Sequence, residues 1–316
     1  MLVLVKNKVT VVGSNMIDST SFLKRFPKKG ETVYGKEYIQ GFGGKGSNQA
    51  MMASLLGAEV SMVTALGNDD NGKNYLKHYR SENITTDYVR VVENNHSGVA
   101  AIWVEPDGDN RIIISPGANE DLTPKFIHES FDKLTDTSVV LSQLENPQKS
   151  ILEGFKRGRA LGAATILNPA PAEVLLDELL EYTDWLLPNE TEFSFLAKEM
   201  YDITEKNPRE AIKEFADRSE TNVVITMGDK GALLYMPKKK MDVEQIETIA
   251  VEVKDTTGAG DAFCGTFAYG LANAMEPKTA IRLASLIASD SVQKNGTQTS
   301  YARGDALDQL KEQALS

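Results

Sequence analysis

The sequence predicts an α/β fold, a parallel sheet covered on both faces by helices, with a small separate β lid. Three observations lead there. Short β-branched runs alternate with longer helical patterns, which implies parallel strands joined by crossover helices. The runs are apolar almost throughout, as strands buried on both faces must be. Two further β-rich segments break the alternation and come from distant parts of the chain, which suits a second, smaller sheet.

Taken in order, Val9–Val12 is the first core strand. Glu31–Gln40 carries tyrosines and β-branched residues and reads as a lid strand, so the lid's first piece covers about 31–41. A glycine-rich loop, Gly41–Gly46, leads into a helix over Asn48–Leu56. Val60–Thr64 is a core strand and Asn71–Ser81 a helix. Residues 97–115 form the lid's second piece: Ala100–Val104 and Arg111–Ile114 flank Pro106-Asp107-Gly108-Asp109, a turn signal. Helices at Pro124–Leu134, Pro147–Leu161, Glu190–Ala197 and Pro208–Ser219 alternate with strands at Val139–Leu141, Thr165–Leu167, Trp185–Leu187 and Val223–Thr226. The last third reads as helical, at Asp261–Ala274, Lys278–Val292 and Asp305–Ala314. With no repeat and no linker between halves, residues 1–316 are expected to form one domain.

Composition narrows the function. A net charge of −11 argues against nucleic acid or an anionic membrane as partner. The Lys238–Lys240 run follows Pro237 and reads as a solvated turn. A single cysteine, Cys264, excludes an internal disulfide and a zinc site built on cysteines, and it reads as buried packing. Met1–Lys6 is short and lacks the basic start of a signal peptide. No apolar run of about 18 residues is present, so no membrane span is expected. A cytoplasmic enzyme is the expectation.

The most informative segment is Asp255-Thr256-Thr257-Gly258-Ala259-Gly260-Asp261, which runs directly into a helix. Two glycines and a helix N-terminus together offer inward-pointing N–H groups, a cradle for an anion. A carboxylate there, Asp261, weakens anion binding unless it has another task. That task is to take the proton of a hydroxyl attacking a bound phosphate. A second loop, Gly41-Phe42-Gly43-Gly44-Lys45-Gly46, formally matches a dinucleotide fingerprint, with Glu59 about 20 residues on. Its context is wrong: it follows the lid strand instead of the first core strand, and Glu59 precedes a strand instead of ending one. An NAD-dependent oxidoreductase is therefore kept only as an alternative of a different class.

Both glycine segments resemble the signatures of the PfkB carbohydrate kinases, and of their ribokinase branch in particular. The match is carried by Gly43-Gly44-Lys45-Gly46-Ser47-Asn48-Gln49-Ala50 and by Asp255–Asp261, with Gly13-Ser14…Asp18, Leu144-Glu145, Asn168–Ala172, Pro188–Glu192, Thr226–Gly231 and Gly296–Ser300 in order between and around them. The resemblance runs from about Lys8 to Tyr301. It implies a doubly wound, mostly parallel α/β domain with a β lid, often clasped lid-to-lid in a homodimer, and transfer of the ATP γ-phosphoryl group to a sugar's primary hydroxyl. By analogy Asp261 is the general base, and Gly258, Ala259 and Gly260 form the anion hole. The sugar is held by Asp18, Gly43, Gly44, Lys45, Asn48, Glu145 and Asp261, with Asn15 and Met16 beside them. Asn189, Thr226, Gly228, Gly231, Gly260 and Ser285 take the nucleotide. Asn189 and Glu192 arrange Mg²⁺ through water, and Asp255, Thr257, Ser291, Lys294, Gly296 and Ser300 surround K⁺, Lys294 giving only its carbonyl.

Several positions keep a second reading. Asn189 and Glu192 also fit a helix capping box. Asp255 also fits a plain loop cap. At the end of the first strand Met16 stands where many ribokinases carry Asn, and Asn15 is one residue early, on the opposite face of an extended segment. Met16 is either core packing or a sign that ribose and 2-deoxyribose are both accepted. His78, His96 and His128 lack metal-ligand spacing and read as surface or lid residues.

Overall fold

The computed structural model describes residues 7–204, 207–239 and 241–315. Met1–Lys6, read above as no signal peptide, and Lys240 of the lysine run lie outside the described residues. The strands are β1 (Lys8–Val12), β2 (Met16–Phe22), β3 (Glu37–Gly43), β4 (Glu59–Gly67), β5 (Val89–Val92), β6 (Val99–Val104), β7 (Asn110–Ser115), β8 (Val139–Ser142), β9 (Ala164–Leu167), β10 (Trp185–Leu186), β11 (Asn222–Thr226), β12 (Ala232–Tyr235) and β13 (Glu244–Ile246). The helices are α1 (Lys45–Leu55), α2 (Asp70–Ser81), α3 (Pro124–Lys133), α4 (Gln148–Ala160), α5 (Asp177–Glu181), α6 (Glu190–Tyr201), α7 (Pro208–Ser219), α8 (Ala259–Ala272), α9 (Pro277–Ser291) and α10 (Asp305–Leu315).

The main sheet has the order β13-β12-β11-β10-β9-β8-β1-β4-β5. It is parallel from β11 through β5, with β12 and β13 added antiparallel at one edge. From β1 the chain winds outward through β4 and β5, then returns and winds the other way from β8. The reversal between β1 and β8 opens a crevice at the carboxyl ends of both strands, the place where such sheets bind ligands. Alternate residues of the strands feed two cores. Val9, Val11, Met51, Phe267 and Ile281 pack on one face of the sheet. Val12, Val140, Ile127, Phe155 and Phe215 pack on the other.

The small sheet has the order β3-β2-β6-β7. Sequence reading anticipated β6 and β7 but missed β2 altogether, and it began β3 six residues too early. Glu31 is tied to Arg25 and to the backbone N–H of Lys28, which closes a turn where strand was expected. β2 escaped notice because its residues, Met16-Ile17-Asp18-Ser19-Thr20-Ser21-Phe22, lack a clean apolar alternation. β5, β12 and β13 were also missed, each four residues or shorter.

The lid register matters for the site. Asp18 of β2 faces Gly41 of β3 on one side and Ala100 of β6 on the other. Its neighbours across the strands are thus a hydrogen and a methyl, which leaves the space above the carboxylate open.

Candidate active site

The crevice is built from the ends of β1 and β8. Ser14, just beyond β1, donates its hydroxyl to Glu145 Oε2 at 2.5 Å, and the backbone N–H of Lys45 donates to the same oxygen at 2.9 Å. The glycine loop lies against this corner, backbone on backbone. Gly44 has φ +83°, and a Cβ there would stand 2.7 Å from the Cα of Asn15. Helix α1 starts at Lys45, three residues before the expected start. The anchor is tertiary: Ser47 N–H donates to the Ser14 carbonyl and Lys45 N–H to Glu145. The early start puts Lys45, Asn48 and Gln49 at i, i+3 and i+4 of one helix face.

That face meets Asp261. Its Oδ2 accepts from Asn48 Nδ2 and its Oδ1 from Gln49 Nε2, both at 2.9 Å. Gly258 caps α8 with φ 78° and ψ 0°, and the helix begins two residues before the expected start, which makes Asp261 its third residue. The backbone N–H groups of Gly258, Gly260 and Asp261 have no acceptor among the described residues. A Cβ on Gly260 would meet nothing within 4 Å. Free donors therefore face open space beside a carboxylate. Burial pushes the Asp261 carboxyl above the ordinary carboxylate value, and the Lys45 ammonium and the two amides oppose that rise.

The dinucleotide reading fails on the structure. Of the segment read as a Gly41–Gly46 loop, residues 41–43 end antiparallel β3 and Lys45-Gly46 begin α1, and exposed Glu59 begins β4, 3.6 Å from Lys8 Nζ. Cys264 is buried on α8 and its thiol is pushed far up by that burial, so it is no nucleophile.

The lid adds Asp18. Burial, with the Glu145 and Asp261 charges adding to it, raises its carboxyl to about 7. Glu145 is itself raised by burial, against the pull of Ser14 and Lys45. Lys45 loses hydration here, yet Asp261, Glu145 and Glu192 hold its ammonium above the ordinary value. One lysine thus sits among three carboxylates. Alternation along β2 puts Met16 on the same face as Asp18, and buried Met16 belongs to neither of the two hydrophobic cores. Asn15 is fully buried: its amide nitrogen donates to Thr64 Oγ1 at 2.7 Å and to the Ala65 carbonyl at 3.1 Å beside β4, while its Oδ1 has no partner among the described residues.

A folded-state pKa raised from 3.8 to about 7 means that the folded protein holds the Asp18 proton which the unfolded chain gives up. Stability therefore falls as pH rises from about 4 to about 7. Asp18→Asn is expected to flatten this fall in thermal melts at pH 5 and pH 8. An identical pH dependence in wild type and variant would remove Asp18 as its source.

On the other side of Gly260 lies a cavity of about 380 Å³, lined by Asn189, Thr226, Gly228, Gly231, Gly260 and Ser285. All six nucleotide candidates therefore border one space. Val251, Val253, Phe263 and Val292 add an apolar wall that sequence reading did not single out. A larger hollow of about 600 Å³ lies beyond Thr248 and Ile249, and none of the catalytic candidates lines it.

Asn189 and Glu192 form the capping box: Glu192 N–H donates to Asn189 Oδ1 at 2.8 Å, and Asn189 N–H to Glu192 Oε2 at 2.9 Å. Glu192 Oε1 has no partner in this box. Burial raises the Glu192 carboxyl, with Lys45 opposing. Among the described residues no three His, Cys, Asp or Glu side chains gather as a direct metal cage. A cation held through water and phosphate fits these residues better than a direct one.

Asp255 joins two loops. Its oxygens accept from Thr257 N–H and Gly296 N–H, each at 2.9 Å. Burial works against the charge, yet these bonds hold its carboxyl below the ordinary value. Lys294 turns its ammonium to Asp290, and Ser300 donates to the Thr297 carbonyl at 2.7 Å. Ser291 donates to the Ala288 carbonyl. The loop-cap reading of Asp255 is thus realised, and it leaves backbone carbonyls to surround any cation.

Sequence reading assigned no role to Gln49, Gln298 or His78, whose amide and ring bonds reach Asp261. His78 was read as a surface or lid residue; its ring lies under Phe42 and bonds to Gln298. His128 is a surface residue beside Glu153, and His96 bonds to the Ser97 carbonyl.

Residues 6–303 match the pfkB family carbohydrate kinase profile. The chain is 36% identical over 296 residues to a deoxyribokinase of Salmonella typhi, covering 93% of this chain and 95% of that one. Its structure is similar to a ribokinase of Thermotoga maritima, with TM-score 0.88, 33% identity and coverage of 96% and 99%. An Arabidopsis thaliana ribokinase complexed with ribose and ATP gives TM-score 0.85 at 30% identity, with coverage of 96% and 98%.

Proposed function

This chain belongs to the pfkB family of carbohydrate kinases, and we propose that it transfers the γ-phosphoryl group of ATP to the 5-hydroxyl of D-ribose. The carrying observation is the position of Asp261. Its carboxylate stands at the free N–H groups of α8, between the Asn189–Ser285 cavity and the crevice that holds Asp18 and Glu145. Phosphoryl transfer asks for positioning and charge stabilisation more than for covalent help.

Asp261 takes the proton of the attacking hydroxyl as its bond to the γ-phosphorus forms, while the bond from that phosphorus to the β,γ-bridging oxygen breaks and ADP leaves with the bridging oxygen. The free N–H groups of Gly258 and Gly260 stabilise charge on the transferring oxygens, with Ala259 between them, whose N–H donates to the Thr256 carbonyl at 3.3 Å in this structure. Asp18, Glu145, Asn48 and the backbone of Gly43 and Gly44 hold the sugar hydroxyls, and Lys45 balances the carboxylates. Asn189 and Glu192 would arrange a magnesium ion through water, and that ion would supply neutralising charge to the nucleotide's phosphates. The backbone around Asp255, Thr257, Ser291, Lys294, Gly296 and Ser300 would hold a potassium ion, which would steady the loop behind the anion hole. The chain acts as one kinase unit in the cytoplasm, the small sheet serving as lid. Exposed Ile39, Ile112 and Ile114 on the lid support a homodimer through it; a monomer mass by light scattering would exclude that.

One observation favours 2-deoxy-D-ribose as a second acceptor. Met16 lies on the Asp18 face of β2, where a thioether cannot read a hydroxyl. An apolar surface rejects an added hydroxyl by only about 10²-fold, whereas a hydrogen-bonding one rejects its absence by 10⁴ or more. The two pentoses are therefore expected to differ in kcat/KM by no more than about 10²-fold. ADP release measured with each, with K⁺ or with a large organic cation, tests both the preference and the cation site. A ribose preference above about 10⁴ would contradict the role of Met16. Equal rates in the two salts would contradict the potassium site.

A further inference from the structure

The hydrogen bonds around Asp261 have a polarity that chemistry dictates, and it leads outward to a histidine. A carboxylate only accepts. Asn48 must present Nδ2 to Asp261 and turn Oδ1 away. The atom 3.0 Å from that Oδ1 is then a donor, Gln298 Nε2, which also reaches Ser47 Oγ at 3.1 Å. Gln298 Oε1 consequently faces His78 Nε2, at 2.7 Å, and this nitrogen carries a proton whether the ring is neutral or charged. Reversing any one member sets like atoms face to face. Ser47, Asn48 and Gln298 are buried, so water does not readily repair a broken link.

His78 also touches the root of the lid. Its ring stacks on Phe42 of β3, with centroids 3.9 Å apart and planes within 3°. One turn earlier on α2, the Tyr75 hydroxyl reaches the carbonyls of Met16 and Gly43, where β2 begins and β3 ends. The same helix therefore grips both lid strands at their base and holds the end of the chain leading to Asp261.

We propose that His78 is a positioning residue: through Gln298 it fixes the carboxamide of Asn48 on the Asp261 carboxylate, and through Phe42 it ties that orientation to the lid root. The proposal rests on the kinase reading with Asp261 as base. A shift of β3 carries Phe42 with it and disturbs the donor that Asp261 needs, so base alignment follows lid position. Asp261 is also faced by Lys45, Asp18, Glu145, Glu192, Cys264 and Tyr301. None of these belongs to the relay.

His78→Phe keeps the stacked ring and removes the donor; His78→Gln keeps a donor; Gln298→Leu removes the middle link. Steady-state kinetics with the pentose and ATP are expected to show a loss of about 3- to 10-fold in kcat/KM for the sugar in His78→Phe and in Gln298→Leu. KM for ATP stays unchanged, and the acid limb of the pH profile moves to higher pH. The double variant loses no more than the worse single, because both break one chain. His78→Gln recovers most of the loss. Wild-type kinetics in both singles, or losses that multiply in the double, would overturn the proposal. Should the variants fold poorly, ¹⁵N NMR of the wild-type ring decides alone: a proton on Nε2 supports the relay, and the Nδ1–H tautomer overturns it. Asp261→Ala in the same series separates the two readings. Full activity there removes the base, whereas an inactive Asp261→Ala beside an unaffected His78→Phe removes only the relay.

Discussion

Asp261→Ala is expected to lower kcat by about 10²–10⁴-fold, the usual worth of a positioned base, while the protein stays folded. A hydroxyl is a poor nucleophile at neutral pH, and Asp261 is the acidic residue in the first turn of α8. Two opposing effects keep the stability change small. The variant leaves the Asn48 amide donor unsatisfied, a cost of roughly 1–3 kcal/mol, while Gln49 Nε2 keeps its bond to Asn168 Oδ1. It also removes a carboxylate whose burial disfavours the charged form. Because the folded-state pKa of Asp261 is raised, the wild-type rate is expected to fall as pH drops through that raised value. Circular dichroism and single-turnover kinetics on the variant check both halves. Near-normal turnover in a folded Asp261→Ala would take the base role away.

Gly258→Ala carries the second large effect. Gly258 sits at φ +78°, and a Cβ there would lie 2.3 Å from Thr297 Cγ2. The left-handed conformation alone costs a non-glycine residue roughly 1–2 kcal/mol. The clash adds to this and drives the start of α8 away from the 296–300 loop, which also holds Asp255 through Gly296 and Asn48 through Gln298. Misaligned anion-hole donors lower kcat by about 10²–10³-fold. Gly260→Ala is the instructive contrast. Its Cβ meets nothing within 4 Å, so the melting temperature holds while the methyl fills the anion cradle and activity falls. Equal kcat in wild type and Gly258→Ala would show that the α8 start plays no part in the reaction.

The parts of this molecule that a sequence reveals are those fixed locally. The Asp255–Asp261 turn is legible because two glycines before a helical run have few other uses, and its Asp stands out against an anion cradle. The nucleotide candidates came from the family resemblance and not from any local pattern; Thr226 ends β11 and Asn189 caps α6, and both border the cavity beside Gly260. The start of α1 was not. Gly44, Gly46 and Ser47 are weak helix formers, and the first turn exists because Ser14 and Glu145 accept its N–H groups. Nor was β2 legible, since its order comes from β3 and β6 on either side instead of from its own pattern. The amide chain from His78 to Asp261 is the clearest case. It links residues 213 and 250 positions apart, and no spacing in the sequence announces which way an amide turns.

The central claim is that Asp261 delivers a sugar hydroxyl to the γ-phosphorus of ATP. The most direct measurement follows ³¹P NMR of the protein with ATP, Mg²⁺ and K⁺ and with ribose or 2-deoxyribose, beside the same mixture containing Asp261→Ala. The account predicts ADP together with a phosphate ester coupled to the C5 methylene protons, and neither signal from the variant in the same time. ADP accompanied only by inorganic phosphate, no ester from either pentose, or equal ester formation by the variant would contradict it.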